Sequence, residues 1–304
     1  MNTSENIVGP NSNDGDFGQG IPHISEFQRF RRVFFSRPVV IFGFVIIFLL
    51  LFAAVFAPFI APYNPNQPNL KENLQQPSLE HWLGTDNLGR DVVSRLIYGT
   101  RTSLMVGFIS VGVATAFGMT LGLISGYFSG WLDATLMRII DGLMMIPPII
   151  LALVFAAMLG GGLRNVMIAL GIALTPSYCR LMRGQVLAIK QSDYILMARA
   201  VGGRDTRIMV RHILPNCLPP LLVLITLNLG GAILAEAALS FLGIGVTPPT
   251  AAWGNMVYDG QKYVFHYPFL SFAPGVCIIL VVLAFNMIGD GLRDALDPML
   301  RGTL

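Results

Sequence analysis

Six runs of uncharged, mostly apolar residues divide this chain, and they leave it few ways to fold. The runs are Val39–Ala57, Leu104–Tyr127, Gly142–Gly162, Asn165–Cys179, Ile213–Ala235 and Tyr267–Gly289. A helix needs about 20 apolar residues to cross a hydrocarbon core. Inside lipid the backbone must satisfy its own donors and acceptors, which an α-helix does within one segment. Charged residues make up 12% of the 304 residues and hydrophobic ones 54%, and the mean hydropathy is +0.64. A soluble domain carries about 25% charge, so this chain cannot cover a soluble surface. It reads as an all-α polytopic membrane protein with six transmembrane helices.

Charge sets the orientation. Arg29, Arg31, Arg32 and Arg37 precede the first run, and residues 1–25 are polar and rich in Gly and Asn. That stretch is too long and too polar for a cleaved signal peptide; residues 1–25 are expected to be disordered and residues 1–38 to form a cytosolic tail. The fourth run is short. Omitting it would put the basic residues from Arg180 to Arg211 outside, against the positive-inside rule. With six spans, most of the 20 Lys and Arg fall in the cytosol, and so do both ends, the C-terminal tail being 291–304. Arg180 can snorkel to the interface, which makes a short span tolerable. A net charge of +3 spread over loops argues against nucleic acid as a partner. The three cysteines, Cys179, Cys217 and Cys277, read as small packing residues rather than a disulfide or metal framework.

Within the second run Ala114, Gly118, Gly122, Gly126 and then Gly130 recur at every fourth position. That spacing puts them on one helix face, where another helix can approach closely, either in a second subunit or within the chain; the glycine enrichment general to membrane helices is the plainer alternative. Pro147-Pro148 should kink the third run, as a gate hinge or as static packing. The outer segment 58–103 begins as a Pro/Asn-rich loop. From His81 it reads as an amphipathic helix lying on the outer surface, with Thr85 or Asp86 as cap and Val92, Val93, Leu96 and Ile97 on one side. Asp86 and Asp91 lack the alternating oxygen ligands of a calcium loop. The transmembrane core would then span 104–290.

The segment YILMARAVGGRDTRIMVRHILP, from Tyr194 to Pro215, puts Arg199, Arg204, Arg207 and Arg211 between two apolar spans. Ala198, Gly202 and Leu214-Pro215 stand at the spacing of the coupling loop in permease subunits of bacterial ATP-binding-cassette importers, which this segment resembles. Leu196 replaces the usual Glu of that pattern, Met197 the first Ala and His212 the Ile. GTDNLGRD (84–91), AALSFLGIG (237–245) with PPTAAWG (248–254), and FNMIGDGLRDALDP (285–298) are similar to the second permease of dipeptide, oligopeptide and nickel importers. The likeness runs from about Phe27 to the C-terminus. It implies a type I importer permease in the bacterial inner membrane, with a coupling helix between the fourth and fifth spans. The implied partners are a homologous second permease, two cytosolic ATPases that bind ATP and Mg, an external solute-binding protein and membrane lipid.

A short helix around Asp193–Gly203 would pass ATPase motion to the spans. Asp193 is placed to cap it, with Tyr194 following. Ala198 leaves room for a partner's groove, and Gly202-Gly203 can end the helix in a left-handed turn. Arg199, Arg204 and Arg207 are candidates to pair with ATPase carboxylates, or alternatively with anionic lipid. Glu236 is the sole carboxylate inside an apolar run, and Asn228 lies near the same face. Both are candidate translocation-path residues; a hydrated position near the outer interface is the alternative for Glu236. No G-x-x-x-x-G-K-[ST] loop and no H-E-x-x-H occurs, and the four histidines are scattered. The chain is therefore expected to be no enzyme by itself, with no catalytic residue, metal or cofactor of its own. A secondary transporter would need a coupling-ion site and usually an internal repeat, neither of which is visible. Cargo stays open between peptides, glutathione and nickel complexes.

Overall fold

The computed structural model describes residues 32–296. The expected disorder of 1–25 and the end of the chain after 296 lie outside the described residues. Helix α1 (Pro38–Val55) starts with proline in its first turn, where no intrahelical donor is needed. Its Phe42, Phe48 and Leu49 stand exposed, an outward apolar face suited to lipid rather than water. The one-turn helix α2 (Ala57–Ile60) follows.

Helix α3 (Val92–Phe128) has 37 residues, about 55 Å at 1.5 Å per residue. It is far longer than a bilayer core is thick, so part of it extends beyond the hydrocarbon. The expected surface helix of the 58–103 segment is corrected here: Val92, Leu96 and Ile97 form the opening turns of α3 itself. Its cap is Asp91, not Thr85 or Asp86. One Asp91 oxygen accepts from the Ser94 N–H at 2.8 Å and the Ser94 hydroxyl at 2.7 Å, while the other meets His81 Nδ1 at 2.9 Å. Asp86 is already engaged, accepting from Arg90 Nε at 2.7 Å and facing Arg95 Nε at 3.5 Å. Arg95 in turn donates to the Pro65 carbonyl at 2.9 Å. A buried polar set therefore clamps the loop before α3 onto the start of that helix.

Helix α4 (Gly130–Met144) and helix α5 (Pro148–Leu159) meet at a bend of 93°. Pro147 and Pro148 both lack the N–H that would carry a helix through. The single kinked span expected over 142–162 is thus a broken pair, whose first arm holds Asp133, Arg138 and Asp141. Gly130 leaves the small-residue stripe: it has φ +67° and sits at the break after α3. Helix α6 (Leu163–Ile189) is longer than the short fourth run and carries Pro176. Then come α7 (Asp193–Ala200), α8 (Asp205–Ile208), a wide π turn over Met209–Ile213 and α9 (Leu214–Phe241). Finally α10 (Trp253–Gly260) and α11 (Phe269–Leu296) close the fold, so the helix runs past the expected start of the C-terminal tail at 291. Among the described residues five helices are long and apolar enough to span a membrane, and six spans result when the bent pair is counted as one.

The core forms where α6 meets α3, with α5 and α9 against α6 and α11 against both α9 and α1. The stripe Ala114, Gly118, Gly122 and Gly126 is an intramolecular seam onto α6. A Cβ on Gly118 would lie 2.8 Å from the Thr175 carbonyl, one on Gly122 2.7 Å from Met182 Cβ, and one on Gly126 2.8 Å from Val186 Cβ. These partners are spaced by seven and four residues, one face of α6. Charge pairs brace α6 against α4: Arg183 grips Asp133 with 2.6 and 2.7 Å bonds, and Arg180 pairs with Asp141.

Gly122→Leu should force α3 and α6 apart, because backbone and not a pliable side-chain tip blocks the new atoms. Detergent-solubilised yield and monodispersity are expected to collapse. Gly112→Ala, on an open face of the same helix with no atom within 4 Å, should leave both unchanged.

Candidate functional site

The segment from Ser192 to Pro215 is built locally as a helix, a glycine turn and a second short helix. Ser192 occupies the N-cap position of α7, without a side-chain cap bond, and its hydroxyl donates instead to the Ile189 carbonyl at 2.6 Å. Asp193 is therefore the first helical residue and not the cap that its type suggested; it still lies where the helix dipole favours an anion. The helix ends as the glycines imply. Gly202 has φ +81°, the left-handed region that glycine enters without a steric penalty. Its N–H reaches the Arg199 carbonyl at 2.9 Å, and the Gly203 N–H reaches the Ala198 carbonyl at 3.0 Å. Leu214 opens α9 with Pro215 in its first turn, a position that loses no hydrogen bond to the ring.

Burial sorts this segment into two sides. Ile195 and Ile208 are wholly covered, whereas Tyr194, Leu196, Met197 and Val201 stand open, Val201 at 88% exposure. Arg199, Arg204 and Arg207 are also exposed. An open groove of about 510 Å³ runs past Tyr194, Met197, Ala198, Gly202 and Arg207. An apolar face interleaved with cations, on a segment outside the spans, can take up a complementary protein surface.

Three residues with no distinguishing pattern in the sequence anchor this segment to the end of α3. The Tyr127 hydroxyl donates to Asp205. The Arg199 guanidinium lies over the Tyr127 ring, 4.9 Å from its centre. Lys190 Nζ donates to the Gly126 and Tyr127 carbonyls at 3.1 Å each and to Ser129 Oγ at 2.7 Å, placing an ammonium on the negative end of α3. Burial, then the neighbouring Arg199 charge, holds that ammonium below its ordinary pKa, with Asp133 acting in the opposite direction. Of these residues only Arg199 was singled out by sequence. Tyr127 and Asp205 are separated by 78 positions, and no local pattern links them.

The pair expected to line a path separates. Asn228 is half-buried and donates to the Tyr178 hydroxyl at 3.1 Å, bridging α9 to α6. Glu236 has no exposed surface at all. Its Oε1 accepts from Ser240 Oγ at 2.6 Å, and Ser240 Oγ accepts from the Val246 N–H at 3.2 Å. Helix α10 lies against this end of α9: a Cβ on Gly254 would stand 2.9 Å from Ser240 Cβ. Glu236, expected as a path residue, is thus enclosed in this chain by helix α10. Among the described residues no group of His, Cys, Asp or Glu could hold a metal ion.

Glu236→Gln retains an acceptor for Ser240 and should fold and melt like the parent. Glu236→Ala removes the buried acceptor of the Ser240 hydroxyl and should destabilise the protein by about 1–3 kcal/mol. Thermal melting in detergent reads the difference. Lost transport by the alanine variant at an unchanged melting temperature would return the carboxylate to the route.

Residues 118–302 match the family described as binding-protein-dependent transport system inner membrane component, and residues 25–77 match the N-terminal TM domain of oligopeptide transport permease C. Dipeptide transport system permease protein DppC of Alkalihalophilus pseudofirmus is 47% identical over 77% of this chain and 77% of its own length. Glutathione transport system permease protein GsiD of Pectobacterium atrosepticum is 46% identical over 74% of this chain and 75% of its own. Among solved structures, an inward-facing form of the MetNI methionine ABC transporter superposes with a TM-score of 0.56. That likeness is at 21% identity and covers 67% of this chain and 97% of the other; it speaks to the fold.

Proposed function

The chain belongs to the family of binding-protein-dependent transport system inner membrane components, and from that premise we propose that it is one of two homologous permease subunits of an ATP-driven peptide importer. Two cytosolic ATPase subunits bind ATP and Mg. An external solute-binding protein delivers di- or oligopeptides to the outer face, and both chain termini lie in the cytosol. The reading rests on one observation above all: α7 carries an exposed apolar face among arginines and is ended by a glycine turn, outside the spans. Lipid headgroups alone would call for the arginines but not for Met197 and Val201 laid bare beside them.

Closure of the ATPase pair moves Asp193–Gly203, with Tyr194, Ala198 and the turn at Gly202 seated in the partner's groove. Arg204 and Arg207 face partner carboxylates, and Leu214-Pro215 carries the motion into α9. The spans then rock between outward- and inward-facing states. Asn228 remains a candidate for weak contact with cargo along that route. A second reading for the cargo, glutathione, is favoured by the 46% identity to a glutathione permease.

Purified alone, the chain should hydrolyse no ATP. Reconstituted with a second permease, the ATPases and the binding protein, it should support ATP-dependent uptake of labelled dipeptide. Competition by glutathione then decides the cargo, and robust hydrolysis by the isolated chain would overturn the reading.

Gly202→Val puts a β-branched residue at φ +81°, at a cost of about 1–3 kcal/mol. Transport should fall sharply while membrane insertion and pairing with the second permease persist. Normal transport and normal ATPase pull-down by this variant would remove residues 193–215 from the coupling role.

A further inference from the structure

We infer that Tyr127 is the residue that locks the coupling segment to α3, so that movement of α7 and α8 turns the α3–α6 pair as one body. The inference rests on the importer reading and names a positioning residue that reading does not contain.

The segment between 190 and 213 is covalently continuous with only two spans, α6 before it and α9 after it. Its reach to α3 is lateral. Tyr127 is 5% exposed and ends the glycine seam one residue after Gly126, where α3 packs on Val186 of α6. From that fixed base its hydroxyl donates to Asp205, the first residue of α8. Its ring carries the guanidinium of Arg199, in the last turn of α7. One side chain therefore holds both short helices, on either side of the Gly202 turn. Lys190 completes the junction by bonding the last carbonyls of α3. A phenol is suited to such a joint because it is rigid, with few torsions to absorb motion, and its polar tip reaches a carboxylate while its face takes a cation.

Without this contact α7 and α8 would be held only by the packing of Ile195 and Ile208 and by their two covalent ends, on either side of the flexible Gly202 turn. Force from the ATPases would then go into bending the loop instead of moving the spans. Loss of the Tyr127 bond is thus expected to separate hydrolysis from transport rather than to unfold the subunit.

The test uses the full complex in proteoliposomes, measuring peptide uptake per ATP hydrolysed alongside complex yield and melting. Tyr127→Phe keeps the ring under Arg199 and removes only the hydroxyl; Asp205→Ala removes the acceptor. Each should lower uptake per ATP roughly tenfold or more, the range of a hydrogen bond to a charged group, with yield unchanged. The double variant should be no worse than the poorer single, because both changes break one bond. Fully coupled single variants would overturn the inference, as would additive losses or a fall in complex yield that matches the fall in uptake. A parent complex that shows no ATP-driven uptake would overturn the importer reading and this inference together, a result distinct from fully coupled variants.

Discussion

The close approach of α3 and α6 is the constraint on which the rest of this subunit depends. Along Gly118, Gly122 and Gly126 the two helices leave no room for a methyl group. In lipid, helices gain little from burying apolar surface against one another, because the tails are equally apolar. Dispersion between closely fitted backbones has to supply the attraction, and small residues allow it. Once the seam is set, Arg183 is held beside Asp133, and Lys190 emerges at the end of α6 within reach of the last α3 carbonyls. The turn that leads into α7 therefore starts from a fixed point.

Charge is scarce here and almost every buried instance is answered. Asp86 and Arg90 pair beside Arg95, His81 meets Asp91, and Asp133 takes the fork of Arg183. Such pairs contribute little net energy when buried, since desolvation offsets most of the attraction, but each becomes costly if one member is lost. They act as registers. The outer set fixes the long loop to the head of α3, and the inner set fixes α4 beside α6 across the bend at Pro147-Pro148. Glu236 is different: it has a hydroxyl partner and no cation among the described residues, and it belongs to the tie between α9 and the 243–246 turn.

The proposed coupling segment combines rigid and yielding parts. The glycine turn at 202 separates two short helices, and the wide turn at Met209–Ile213 eases the chain into α9. Against these, Tyr127 and Lys190 supply fixed points on α3. A segment meant to transmit motion needs both, because a wholly rigid loop would transmit vibration of any kind and a wholly soft one would transmit none.

What the sequence by itself determined is what local physics controls. Runs of apolar residues set the number and order of the spans, since lipid admits few alternatives, and the basic residues from Arg180 to Arg211 marked the weak fourth run as a crossing. The four-residue repeat of small side chains placed a seam on the right face of α3. The Gly202 turn and the break at Pro147-Pro148 followed from backbone geometry that neighbours hardly alter. Tertiary structure alone decided the rest. The seam's partner is α6 and not another subunit; Asp91 caps α3 because Arg90 and Arg95 had already claimed Asp86. Glu236 is enclosed because α10 folds back over α9. Tyr127 meets Asp205 across 78 residues, a contact that depends on how five helices stack. Periodicity reports which face of an element is apolar, but it carries no information about which distant element will cover that face.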